Sequence, residues 1–89
     1  MEEIKDLEKI MKALANRRRL AILQFLKKQK LASVSQVARK IKLSVKSTSK
    51  HLSILATVNI IEREQRSLNV YYSLASYQKS VGKCIISLI

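Results

Sequence analysis

The stretch from Val34 to Leu55, VSQVARKIKLSVKSTSKHLSIL, reads as two short helices joined by a tight turn. Ser35 begins the first, and Val37, Ala38 and Ile41 form its inner face by their helical spacing. Leu43 plugs the turn. Ser44 carries the short polar side chain favoured at a helix N-cap, so a second helix is expected over 45–57. In it Thr48 (through its methyl), Leu52 and Leu55 are spaced four and then three, one narrow stripe facing a core. Lys46, Ser47, Ser49, Lys50 and Ser53 take the opposite side. Two cations, small hydroxyls that allow close approach, and no acid make a surface suited to a phosphate-lined major groove. A merely solvated helix face usually mixes signs and includes Glu, and this one does neither.

On the N-terminal side, Ile4, Leu7, Ile10, Met11 and Leu14 recur at spacings of three and four, which predicts an amphipathic helix over residues 3 to 14. Asn16 can cap the next helix, expected to be the most buried and to end at Lys27 or Lys28, with Leu20, Ile22, Leu23, Phe25 and Leu26 covering more than one face. Arg17, Arg18 and Arg19 stand in its first turn, where the helix dipole disfavours cations by a few tenths to roughly 1 kcal/mol. Two reasons to keep them there stay open: phosphate contact by one or two, or a buried structural ion pair for Arg19. Residues 30 to 33 (KLAS) can add a minimal strand.

On the C-terminal side, Asn59 follows Val58 where the second helix should stop, and Asn best tolerates the left-handed conformation after Gly. The period then changes, and 60–65 and 69–74 read as a β-hairpin with a polar tip, Arg66 to Asn69. From Ser76 the helical period returns through Tyr77, Val81, Cys84, Ile85 and Leu88, predicting a helix over 76–89. So apolar a helix finds little to cover except the first helix and a second copy of itself, so a dimer through residues 3–14 and 76–89 is expected. Gly82 in mid-helix costs about 1 kcal/mol relative to Ala, and close helix approach is a reason to keep it.

The charge narrows the partner. Eighteen basic against six acidic residues give +12 on 89 residues. Four of the six acids, Glu2, Glu3, Asp6 and Glu8, fall in the first eight positions, leaving only Glu62 and Glu64 beyond. So uneven a positive field favours nucleic acid over an anionic membrane surface. Aromatics at 4% argue against single-strand binding on stacked bases. An apolar content of 47% excludes disorder, and no apolar run is long enough for a membrane span. The acidic opening MEEIKD is unlike a secretory leader, and a lone cysteine fits a reducing compartment, so a cytoplasmic protein is expected. One cysteine and one histidine are too few for a metal cage within one chain, so no metal or other cofactor is expected.

Three helices with a helix-turn-helix and a β-hairpin make a winged helix-turn-helix: mainly α, about five helices plus a two-stranded wing, in a single domain over 1–89. The wording resembles the ArsR/SmtB family of bacterial and archaeal repressors over nearly the whole chain. KALANRRRLAIL (12–23) resembles the family's opening, LSVKSTSKHLSIL (43–55) its recognition helix, and VYYSL (70–74) the returning wing strand. The resemblance implies that Val45, Lys46, Ser47, Ser49 and Lys50 approach the major groove. It also implies a structural or phosphate-contact role for His51 and backbone or minor-groove contacts for Arg63 and Arg66 on the wing. Three departures stand out. Ser33 and Ser35 take positions where metal-sensing members carry thiols, and hydroxyls do not replace thiolates for soft metals. The last helix lacks the Asp and His of the family's other metal site. Lys42, Asn59 and Ser67 replace its usual glycines, and a left-handed Lys42 costs about 1 to 2 kcal/mol, which points to a different turn shape there.

The leading functional reading is a homodimeric, sequence-specific regulator of transcription that binds double-stranded DNA, in the manner of a repressor. A non-specific architectural DNA coater is the alternative, and a protein-interaction module with the same fold is a third. No paired carboxylates, no nucleophile beside a His and no Gly-rich phosphate loop suggest an enzyme.

Overall fold

The computed structural model describes residues 3–89. Glu2, one of the N-terminal acids counted above, and Met1 lie outside them. The order is α1 (Ile4–Leu14), α2 (Arg17–Gln29), β1 (Ala32–Ser33), α3 (Val34–Ile41), α4 (Val45–Thr57), β2 (Ile61–Arg66), β3 (Asn69–Leu74) and α5 (Ser80–Leu88). This is the winged helix-turn-helix, with five helices. The KLAS segment supplies the short third strand of an antiparallel sheet ordered β1-β3-β2.

Caps set the helix boundaries. Asn16 Oδ1 accepts from the backbone N–H of Arg18 (3.0 Å) and Arg19 (3.1 Å), as expected for α2. That helix runs to Gln29, past the expected end at Lys27 or Lys28, and Lys30 closes it at φ 74°. Helix α3 starts at Val34, one residue before the expected Ser35. The reason is a reciprocal cap: Ser33 Oγ accepts from Gln36 N–H (3.2 Å) while Ser33 N–H donates to Gln36 Oε1 (2.8 Å). Ser44 caps α4 through Ser47 N–H (3.1 Å). At its far end Asn59, at φ 61°, closes a Schellman turn: Ile60 N–H donates to Leu55 O and Asn59 N–H to Ala56 O. The N–H of Ile60 is thereby spent on the cap while its carbonyl still accepts from Ala75 N–H, and β2 begins at Ile61 rather than at 60.

The turn between α3 and α4 corrects one expectation. Lys42 does take the left-handed conformation (φ 59°, ψ 48°), with Leu43 N–H bonded to Ala38 O. That conformation closes the end of α3, where Lys42 N–H and Leu43 N–H both meet the Ala38 carbonyl, and the Leu43 that follows is half-buried.

A single core joins every layer. Ile10 and Leu14 of α1, Ile22, Leu23 and Leu26 of α2, Val37 of α3, Leu52 and Leu55 of α4, and Ile60 and Ile61 leading into the wing form one buried cluster. Thr48 is fully buried, as the stripe requires, and its hydroxyl meets no hydrogen-bond partner among the described residues.

Helix α5 is shorter than the 76–89 expected. Ser76 N–H donates to Glu62 Oε1 (2.8 Å), and Gln78 Nε2 donates to Ile60 O (2.8 Å) and Ala75 O (3.1 Å). These bonds hold 76–79 in a bent, non-helical segment against the base of the wing, and they leave Tyr77 exposed rather than on the apolar face. The helix then packs Val81, Ile85, Ile86 and Ile89 on the core. Lys27 Nζ and Gln24 Nε2 of α2 reach the carbonyls of Ile86 and Ile89. The covering of α5 is therefore wider than α1 and a second copy. The close approach at Gly82 is likewise not to another helix: an added Cβ would lie 3.1 Å from Gln78 Oε1.

Candidate nucleic-acid interface

Helix α4 turns Thr48, Leu52 and Leu55 inward, which leaves Lys46, Lys50 and Ser53 exposed and Ser47 and Ser49 half-buried at the edges of the stripe. Val45 is 48% exposed in the first turn. The expected reading face is therefore assembled on one helix, and among the described residues no acid lies on it. The helix is held by the Ser44 cap, the Schellman turn and the buried stripe.

The start of α2 stands beside α4. Arg17 and Arg18 are exposed there, and Arg19 is half-buried. The ion pair left open for Arg19 is not what its contacts describe. Among the described residues it forms no ion pair, and it spends its donors inside the protein: Nε donates to Ala13 O (2.5 Å), and a second nitrogen to Lys12 O (3.1 Å). The third guanidinium nitrogen lies 3.2 Å from Nδ1 of His51. His51 is half-buried on the flank of α4. Its pKa is lowered from the ordinary 6.5, first by burial, then by the positive charges of Arg19 and Arg18. Facing an arginine N–H, which can only donate, Nδ1 accepts, and the neutral form that this shift favours carries its proton on Nε2.

That shift has a measurable outcome. The unfolded chain takes up the histidine proton before the folded protein does, so stability is fully present above about pH 6.5 and falls as pH drops through that value toward the folded pKa. The urea midpoint is expected to be lower at about pH 5.5 than at about pH 7.5, and His51→Gln should reduce the difference. Equal midpoints in the wild-type protein would contradict it.

On the wing, Arg63 and Arg66 are both exposed, but they do not share a face. Strand alternation sets Arg63 with Ile61 and sets Arg66 with Glu62 and Glu64. The hairpin turns through Ser67, at φ 57°, and Leu68, because Arg66 pairs with Asn69 in register. Arg66 therefore ends β2 rather than standing free in the loop. Its guanidinium is bonded to Glu64, which raises its pKa further, and it lies 5.9 Å above the Tyr71 ring. Of the sequence-predicted residues, Val45, Lys46, Ser47, Ser49, Lys50 and His51 share α4, with Arg17 and Arg18 on the adjoining helix, while the wing pair stands apart.

Ser33 is engaged as the α3 cap. Among the described residues, no helix is long and apolar enough to cross a membrane.

Comparisons with known proteins agree with this architecture. The nodulation protein NolR of Rhizobium meliloti is 39% identical over 64 residues, 72% of this chain. The chain spans 52% of that relative's length. A homodimeric winged helix-turn-helix DNA-binding domain from Mycobacterium bovis, a possible ArsR-family transcriptional regulator, superposes with a TM-score of 0.81 at 26% identity, covering 96% of this chain and 75% of that one. The transcriptional repressor PagR of Bacillus anthracis gives a TM-score of 0.78 at 28% identity, covering 96% and 93%. Residues 14–74, from the end of α1 through the wing, match the HVO_A0114 family. The chain belongs to the HVO_A0114 family and has the winged helix-turn-helix fold of the ArsR-type transcriptional regulators.

Proposed function

We propose that this chain is a single winged-helix domain acting as a homodimeric, sequence-specific repressor of transcription on double-stranded DNA in the cytoplasm. The carrying observation is the acid-free outer face of α4, rigidly capped and packed, on a protein of charge +12. Helix α4 lies in the major groove, where Val45 meets a thymine methyl and Lys46 or Lys50 the acceptor edge of guanine, with Ser47 and Ser49 permitting close approach. Arg17, Arg18 and His51 flank it against phosphates. Arg63, and Arg66 once drawn from Glu64, contact the backbone or minor groove beside it. The M. bovis neighbour is a homodimeric DNA-binding domain and PagR is a repressor, which supports DNA, a second copy and repression as the natural assignments. Ile4 (84% exposed), Met11 (53%) and Leu88 (74%) leave apolar surface on α1 and α5 for that second copy. No enzymatic activity forms part of this reading.

Alanine scanning of duplex binding tests the roles. Lys50→Ala should cost about 1 to 3 kcal/mol on the preferred site and less on random DNA. Alanine at Arg17 or Arg18 should weaken all sequences nearly equally and lower the salt slope by about one unit for each phosphate left unneutralised. A Lys50→Ala loss equal on both kinds of DNA would instead favour the non-specific coater, the reading that the bulk charge alone would suggest.

A further inference from the structure

Arg19 is the one arginine of the 17–19 run whose donors point into the protein, and they join three helices. Two adjacent carbonyls at the end of α1, of Lys12 and Ala13, take two of its nitrogens. Nδ1 of His51, on the helix proposed to read bases, takes the third. A lysine has the charge but not the planar fork needed to reach all three acceptors at once. Arg19 is further fixed at its own backbone, since its N–H donates to the Asn16 cap at 3.1 Å.

We propose that Arg19 is a positioning residue for the recognition helix: it ties the flank of α4 to the end of α1 and fixes the His51 ring so that its Nε2–H is presented as a donor to a DNA phosphate. The proposal rests on the DNA-binding reading above. It gives Arg19 no phosphate of its own. It also gives α1, whose exposed side is assigned to the second copy, a direct mechanical link to the helix that meets DNA. Accepting at Nδ1 leaves the neutral ring only Nε2 for its proton, so the orientation set by Arg19 decides where that donor points. The positive charges of Arg19 and Arg18 favour the neutral form of His51, which limits like-charge repulsion in the cluster.

The test compares Arg19→Lys, Arg19→Gln, His51→Gln and the Arg19→Lys/His51→Gln double variant with the wild-type dimer. Each is measured for affinity to a selected duplex, for salt slope and for melting temperature. Because the chain has one histidine, its ring protons also give an unambiguous titration by NMR. Arg19→Lys is expected to lose about tenfold in affinity, as Arg19→Gln does, with the salt slope unchanged. The losses of Arg19→Lys and His51→Gln should not add in the double variant, and the His51 titration midpoint should move up in Arg19→Gln. Retained affinity in Arg19→Lys, with Arg19→Gln losing about one unit of salt slope, would show a direct phosphate contact and overturn the proposal. So would a lowered melting temperature with unchanged affinity below it, which would make Arg19 a scaffold residue only. If the wild-type dimer bound no duplex at all, the DNA-binding reading would fall and the proposal with it. That outcome is distinct from either of the others.

Discussion

Replacing Leu52 with alanine is expected to lower the stability of this domain by about 2 to 5 kcal/mol, a large share of the roughly 5 to 15 kcal/mol that holds a small domain folded. Leu52 is fully buried on the inner stripe of α4, within the cluster shared by Ile22, Leu23, Leu26 and Leu55. Its loss removes transfer free energy and leaves a cavity that the surrounding elements cannot close without giving up packing of their own. The next residue is the control. Ser53 is exposed, and Ser53→Ala should change stability by no more than about 0.5 kcal/mol. Urea denaturation at fixed protein concentration reads both, and similar midpoints for the two variants would contradict the placement of the α4 stripe.

Leu88→Glu is expected to convert the dimer to a monomer. In the single chain Leu88 is 74% exposed on α5, so a carboxylate there leaves the protomer's own core untouched. At an apolar contact with a second copy it would be buried without a partner, at a cost of several kcal/mol and hence a dimer constant weakened about a hundredfold or more. Sedimentation at micromolar concentration should show a dimer for the wild-type chain and a monomer with an unchanged circular dichroism spectrum for the variant. Ile85 is a poorer choice for this experiment, because it packs against the core of its own chain. A wild-type monomer, or a variant still dimeric, would remove α1 and α5 as the interface.

Much of this architecture is legible in the chain because its signals are local. The four-then-three spacing of Thr48, Leu52 and Leu55, the caps at Asn16 and Ser44, and the change of period after Asn59 each depend on neighbours a few residues apart. They placed α4 at 45–57 and β3 at 69–74 to the residue. What escaped depends on contacts across the fold. Glu62 and the carbonyl of Ile60 hold 76–79 out of the last helix, although its hydrophobic period runs on from Ser76. The reach of Arg19 to two carbonyls and a ring nitrogen 32 positions away leaves no trace in the 17–19 run beyond its unfavourable place on the helix dipole. Lys42 shows the converse. Its intrinsic cost pointed to another turn, yet Lys42 takes the left-handed conformation and the helix end closes on the Ala38 carbonyl. In the candidate interface, the face of α4 was visible from residue types alone. The capture of Arg66 by Glu64 had a signal, two opposite charges one strand period apart, and it only became informative once the register of the wing fixed which face each occupies.

Whether α4 reads sequence or merely adds charge is decided by the ratio of affinities for a selected duplex and for random DNA, measured at about 0.15 M salt. A reading helix should hold the selected site roughly a thousandfold or more tighter than random DNA. A ratio near one, with a steep salt dependence for both DNAs, would contradict it.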